Sequence, residues 1–105
     1  MTRPSEEFGL SAKTHSALSS LFIRYPKIER VVLYGSRAKG NYRPGSDIDL
    51  TLIAPTLSLS DLMKIQNEID DLMLPYKVDL SLYHQLESED LKDHIERVGK
   101  DFLKG

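Results

Sequence analysis

The stretch from Val31 to Leu50 constrains this chain more than any other. It opens with the β-rich run Val31-Val32-Leu33-Tyr34, breaks at Gly35-Ser36, and passes through a turn-rich basic segment. It then re-enters an apolar run through Asp47-Ile48-Asp49-Leu50. Side chains alternate across a strand, so Asp47 and Asp49 share one face while Ile48 and Leu50 share the other. Two carboxylates side by side repel each other and resist burial unless a cation lies between them. Carboxylate oxygens are the preferred ligands of hard divalent metals, which makes such a metal the obvious cation.

The intervening residues supply the complementary half. Arg37, Lys39 and Arg43 are basic, and no acidic residue occurs from Ser36 through Ser46. A Gly-Ser turn that follows a strand and leads into a short helix offers backbone N–H groups and a hydroxyl to an anion. With phosphate donors and metal-binding carboxylates on one segment, a metal-bound triphosphate is the ligand this stretch suits.

Gly35-Ser36, the ten residues 37–46, and then Asp47-x-Asp49 resemble the signature of the DNA polymerase β-type nucleotidyltransferase superfamily. The short chain is similar to its minimal members, the MNT proteins, which often form one half of MNT/HEPN toxin–antitoxin pairs. Gly-Ser alone carries no signal and Asp-x-Asp alone little; their union at this spacing, between two strands, is specific.

Composition bounds the rest. A chain of 105 residues suits a single nucleotidyltransferase domain spanning 1–105. Hydrophobic content of 40% and charged content of 29% are those of an ordinary globular protein. There is no cysteine, which removes disulfides, thiolate zinc sites and cysteine nucleophiles. The net charge of −2 speaks against an extended nucleic-acid surface. No apolar run reaches membrane-spanning length and no signal-peptide plan opens the chain, so a cytoplasmic location is the default.

In chain order, residues 1–8 read as a frayed start and Leu10–Tyr25 as a helix stopped by Pro26. Ile28–Tyr34 reads as the first strand, buried on both faces. Ser36 is expected to cap a short helix ended by Gly40, followed by a loop over Asn41–Ser46. Asp47–Ile53 is the second strand. Ser58 and Asp61 form a capping-box pattern ahead of an amphipathic helix with Leu62, Ile65, Ile69, Leu72 and Met73 on one face. Lys77–Tyr83 alternates as the third strand. Ser88, Glu89 and Asp90 open a last helix whose apolar face carries Leu91, Ile95, Val98 and Phe102.

These elements predict an α/β (α+β) fold with a three-stranded mixed sheet of order 1-2-3 flanked by helices, the polymerase β-like arrangement. For Gly35-Ser36 and Asp47 to meet one ligand, the first two strands must run antiparallel. The helical connection makes the second and third parallel, by a right-handed crossover. Asp79 then stands beside Asp47 and Asp49, as the third carboxylate that the family's pattern expects.

The resemblance implies a Mg²⁺-dependent transfer of a nucleoside monophosphate, AMP from ATP, to a hydroxyl. Asp47 and Asp49 would hold the metal that carries the triphosphate, and Asp49 and Asp79 a second ion. Two such ions, about 3.5–4 Å apart, stabilise the attacking and leaving oxygens of an in-line displacement. Asp79 would also take or orient the acceptor's proton. Gly35 would allow close approach of the backbone, and Ser36 would hydrogen-bond a phosphate. Arg37, Lys39 and Arg43 would meet charge on the pyrophosphate. The loop Tyr42 reads as a cover for the core's edge or a base-stacking ring, and His15 and His94 as surface helix residues.

The chain ends soon after its third strand, leaving little with which to build an acceptor site. A HEPN-type helical partner carrying a tyrosine hydroxyl is the acceptor the resemblance implies, giving an antitoxin role. Two other readings stand beside it: a non-catalytic antitoxin that works by binding, and the catalytic subunit of a two-protein enzyme acting on a small molecule. The apolar helix faces could serve a homodimer or a heteromer.

Overall fold

The computed structural model describes residues 8–43 and 45–103. Its elements are α1 (Ala12–Ile23), β1 (Arg30–Tyr34), α2 (Ser36–Lys39), β2 (Ile48–Ile53), α3 (Leu59–Asp71), β3 (Val78–Leu82), α4 (Glu89–Val98) and β4 (Lys100–Asp101). A 3₁₀ turn at Tyr83–Gln85 follows β3. The sheet order is β3-β2-β1-β4. As expected, β1 pairs antiparallel with β2, and β2 pairs parallel with β3. No helix among the described residues is long and apolar enough to cross a membrane.

Local chemistry sets the helix boundaries. Ser11 caps α1 by accepting the Thr14 N–H at 3.1 Å, and Ser88 caps α4 through the Leu91 N–H. Ser58 and Asp61 complete the reciprocal capping box of α3. At α2 the cap is Gly35 rather than Ser36, which becomes the first helical residue. The strands begin later than the apolar pattern suggests: Asp47 and Lys77 lie just ahead of β2 and β3.

Alternation gives the sheet two chemically distinct faces. Val31, Leu33, Ile48, Leu50, Leu52, Val78, Leu80 and Leu82 belong to the apolar core, with Leu18 and Phe22 of α1 and Ile65 and Ile69 of α3. Val32, Tyr34, Asp49, Thr51, Asp79 and Ser81 alternate onto the opposite face. There the Ser81 hydroxyl donates to Thr51 Oγ1 at 2.9 Å, a cross-strand polar pair. Burial of Val31, Val32 and Leu33 confirms β1 as a central strand covered on both sides.

Three expectations need correction. The last helix does not reach Phe102. It stops at Val98, Gly99 turns the chain, and Lys100–Asp101 pairs antiparallel with Val32 and Leu33 as a fourth strand. The spacing of Val98 and Phe102 fits a helix, but the intervening Gly99 breaks it. A Cβ there would strike the Ile95 carbonyl. Second, Leu72 and Met73 lie beyond the end of α3. Met73 takes a left-handed conformation (φ 54°) and is 85% exposed. Third, Phe8, read as part of a frayed start, packs against the core with its ring 6.4 Å from that of Phe102; the rest of that start, residues 1–7, lies outside the described residues.

Phe102 therefore closes the core from the far side of β1. It is fully buried, its N–H donates to Val31 O at 2.8 Å, and its ring meets Phe22 edge-on at 6.4 Å. His15, expected on the surface, lies 4.5 Å from the same ring. Removing an aromatic side chain from such a site costs about 3–5 kcal/mol, a large share of the roughly 5–15 kcal/mol of a small domain. Phe102→Ala should lower the urea midpoint accordingly. A midpoint within error of wild type would refute this placement.

Candidate active site

Strand register builds the site. Tyr34 pairs with Asp49 and Asp49 with Asp79, so three adjacent strands bring these residues into one row. Gly35-Ser36 follows Tyr34 directly, at the edge of the same row. Asp47 precedes β2 and is exposed; Asp49 is half-buried and Asp79 exposed. Between the first two, Ile48 turns into the core with no exposed surface, which fixes the direction of its neighbours.

Gly35 is required by its own geometry. Its φ of 77° and ψ of −157° fall in a region open essentially to glycine alone. A Cβ at this position would collide with Asp49 Oδ2. The turn thus brings backbone directly against a carboxylate of the site. Ser36, half-buried, follows as the first residue of α2.

The electrostatics record a crowd of negative charge. Burial pushes the Asp49 carboxyl above its ordinary range, and the charges of Asp79 and Asp47 push it further. Burial likewise raises the Tyr34 phenol, with Asp49 and Asp79 adding to the effect. Among the described residues, no three Asp, Glu or His side chains form a complete metal cage. Mg²⁺ does not need one: it is commonly bound through one or two carboxylates, with substrate phosphates and water filling the remaining positions. A row of hard oxygen donors in mutual repulsion suits that cation, and Asp47, Asp49 and Asp79 are the residues that could hold it.

The basic residues divide. Lys39 and Arg43 are exposed on the segment after Gly35-Ser36. Arg37 is only 3% exposed and faces inward, contrary to the role expected of it. Its Nε and Nη2 donate to Ser46 O at 3.2 and 2.9 Å, and Nη1 donates to Phe8 O at 2.9 Å. The guanidinium lies 5.0 Å from the Tyr42 ring and 4.9 Å from the Tyr76 ring. Three of its donors are engaged by backbone carbonyls and the group is buried, so it fastens the loop instead of meeting a pyrophosphate. Tyr42 lies over this cation rather than among the residues packed on the core.

One residue of the site escaped the sequence reading. His94 of α4, expected on the surface, accepts the Gly35 N–H on Nε2 at 3.2 Å, and its ring meets Tyr34 edge-on at 6.2 Å. The signal was present: His94 lies three residues after Leu91 and four before Val98, on the inward stripe of α4.

The charge crowding sets a pH dependence. A carboxyl raised in the folded state favours folding while protonated. That contribution is full below the unfolded-state value and is lost as pH rises through the folded one. At neutral pH the Asp49 charge therefore opposes folding of the metal-free chain. Asp49→Asn should raise the melting temperature in EDTA at pH 7, with the gain shrinking as pH falls toward about 4. An equal gain at both pH values would contradict this account.

Comparison with known proteins agrees with this geometry. The model of the family described as polymerase beta, nucleotidyltransferase matches residues 16–104. No curated protein matches the sequence. The fold is similar to that of a chain in the crystal structure of a toxin–antitoxin with AMP-PNP: TM-score 0.68, 24% identity, covering 91% of this chain and 75% of that one. It is also similar to a chain of a mutant MntA toxin–antitoxin pair: TM-score 0.66, 27% identity, covering 91% and 73%. A third similar structure is a tri-AMPylated Shewanella oneidensis HEPN toxin in complex with MNT antitoxin: TM-score 0.65, 20% identity, covering 90% and 72%.

Proposed function

We propose a specific activity from one premise: the chain belongs to the polymerase β nucleotidyltransferase family, and we read it as one of the minimal, MNT-type members. The activity is transfer of AMP from ATP to a hydroxyl on a HEPN-type partner protein, which gives the chain an antitoxin role. The observation that carries it is the register Tyr34–Asp49–Asp79, which sets a Gly-Ser turn and a row of carboxylates along one edge of one sheet face. Support for the nucleotide and the acceptor comes from the similar structures, one with AMP-PNP and one containing an AMPylated HEPN toxin.

The residues divide the work by position. Gly35 lets the turn close against the Asp49 carboxylate, and the Ser36 hydroxyl donates to a phosphate oxygen. Asp47, Asp49 and Asp79 would hold Mg²⁺, which when bound would offset the negative charge of the triphosphate and of the carboxylates themselves. Lys39 and Arg43 supply mobile positive charge for the departing pyrophosphate. The acceptor oxygen forms a bond to the α-phosphorus while the bond from that phosphorus to the pyrophosphate oxygen breaks. In this reading Asp79, on the outermost strand, receives the acceptor's proton. A hollow of about 530 Å³ opens beside it, walled in part by Ile69, Leu74, Tyr76 and Val78.

The test is label transfer from α-³²P-ATP to the co-encoded helical partner in the presence of Mg²⁺. Wild type should label the partner, and Asp47→Ala/Asp49→Ala should not while remaining folded. Undiminished labelling by that variant would overturn the mechanism. Lys39→Ala and Arg43→Ala should each raise the KM for ATP about two- to fivefold, as expected of exposed charges. Arg37→Ala should instead act through stability, lowering the melting temperature more than either of them.

A further inference from the structure

We propose that His94 is a positioning residue for the Gly35-Ser36 turn, fixing the peptide from which Ser36 meets the triphosphate. This role rests on the nucleotidyltransferase reading above. Its basis is the way Gly35 is held on three sides. The carbonyl of Gly35 accepts the Lys39 N–H at 3.1 Å within α2. Its Cα lies against the Asp49 carboxylate with no room for a side chain. Its N–H belongs to neither the sheet nor the α2 ladder and donates to His94 Nε2 at 3.2 Å.

Each constraint has a separate consequence. Glycine has the widest conformational range of any residue, so a glycine turn is defined only by what holds it. The α2 bond fixes the peptide following Gly35, and the histidine fixes the peptide preceding it. Loss of the second would let that peptide rotate and carry Ser36 away from the carboxylate row. The imidazole itself is well supported. It stands on a helix capped by Ser88 and anchored by buried Ile95, and its ring rests at 82° to that of Tyr34, the residue preceding the turn. Helix α4 is thereby tied to the phosphate side of the site, although it carries none of its carboxylates. Because the Gly35 N–H is engaged by His94, it is not a phosphate donor, and the Ser36 hydroxyl serves as one at this turn.

The test compares wild type, His94→Ala and His94→Gln as full-length chains. Affinity for Mg²⁺ with AMP-PNP is measured by calorimetry, and hydrogen exchange of the Gly35 amide by NMR without nucleotide. Alanine removes the acceptor; the glutamine side-chain carbonyl restores one. The expected result is about a fivefold loss of affinity in His94→Ala, with loss of Gly35 protection, and recovery of both in His94→Gln. Wild-type affinity in a folded His94→Ala chain would overturn the assignment. So would equal losses in both variants that simply follow their melting temperatures. If wild type itself takes up no AMP-PNP, the nucleotidyltransferase reading fails and this role falls with it. Binding by wild type with an indifferent His94→Ala removes His94 alone.

Discussion

Strand β2 lies between an antiparallel and a parallel neighbour, and its half-buried carboxylate, Asp49, faces Tyr34 on one side and Asp79 on the other. Few arrangements of backbone could hold like charges this close. Antiparallel pairing places the end of β1 opposite the start of β2. Parallel pairing places the start of β3 beside the start of β2. The mixed sheet is therefore what gathers a turn and a carboxylate row at one end of the molecule. Their repulsion is tolerated because the same strands bury Ile48, Leu50, Val78 and Leu80 on the reverse face. A slip of one residue would expose that apolar set and bury the aspartates, so the core enforces the register that the site requires.

The cost of the arrangement appears at Asp49, whose carboxyl is pushed upward by burial and by two neighbouring acids. A fold optimised for stability alone would place an amide or a hydroxyl there. Thr51, two residues further along the same face, shows that milder solution: it is fully buried and hydrogen-bonded to Ser81 across the strands. The contrast between positions 49 and 51 marks where chemistry takes precedence over stability on this face. It also explains why a cation is compatible with the site although its side chains do not enclose one.

Much of this was legible in the sequence because it depends on alternation and capping, which are local. Alternation in Asp47-Ile48-Asp49-Leu50 and in Val78–Leu82 gave the polar and apolar faces, and Ser58 with Asp61 gave the start of α3. What stayed hidden depends on where distant segments meet. Phe102 continued the helical spacing of α4, and only the break at Gly99 and the open edge of β1 diverted it into the sheet. His94 looked like a surface histidine because its partner, the Gly35 N–H, lies 59 residues away in sequence. Arg37 looked like a phosphate ligand because every charged neighbour in its loop was basic. Its carbonyl partners, at Phe8 and Ser46, bear no sequence signature.

Arg37 nevertheless serves the same end by another route. The loop between α2 and β2 carries turn residues and exposed cations, and by itself such a segment has no fixed path. A guanidinium is planar, permanently charged, and able to donate in several directions at once. Here it uses two donors on Ser46 O, immediately before Asp47, and a third on Phe8 O, with aromatic rings of Tyr42 and Tyr76 beside it. A buried cation is costly unless its donors are satisfied, and these bonds together with the rings offset that cost. The consequence is geometric. Ser46 is fixed by Arg37, Ile48 by its N–H bond to Lys77 O at 2.8 Å, and Asp47 is held between them. The Asp47 carboxylate thus owes its position to a buried arginine, and a short loop becomes as well placed as a strand.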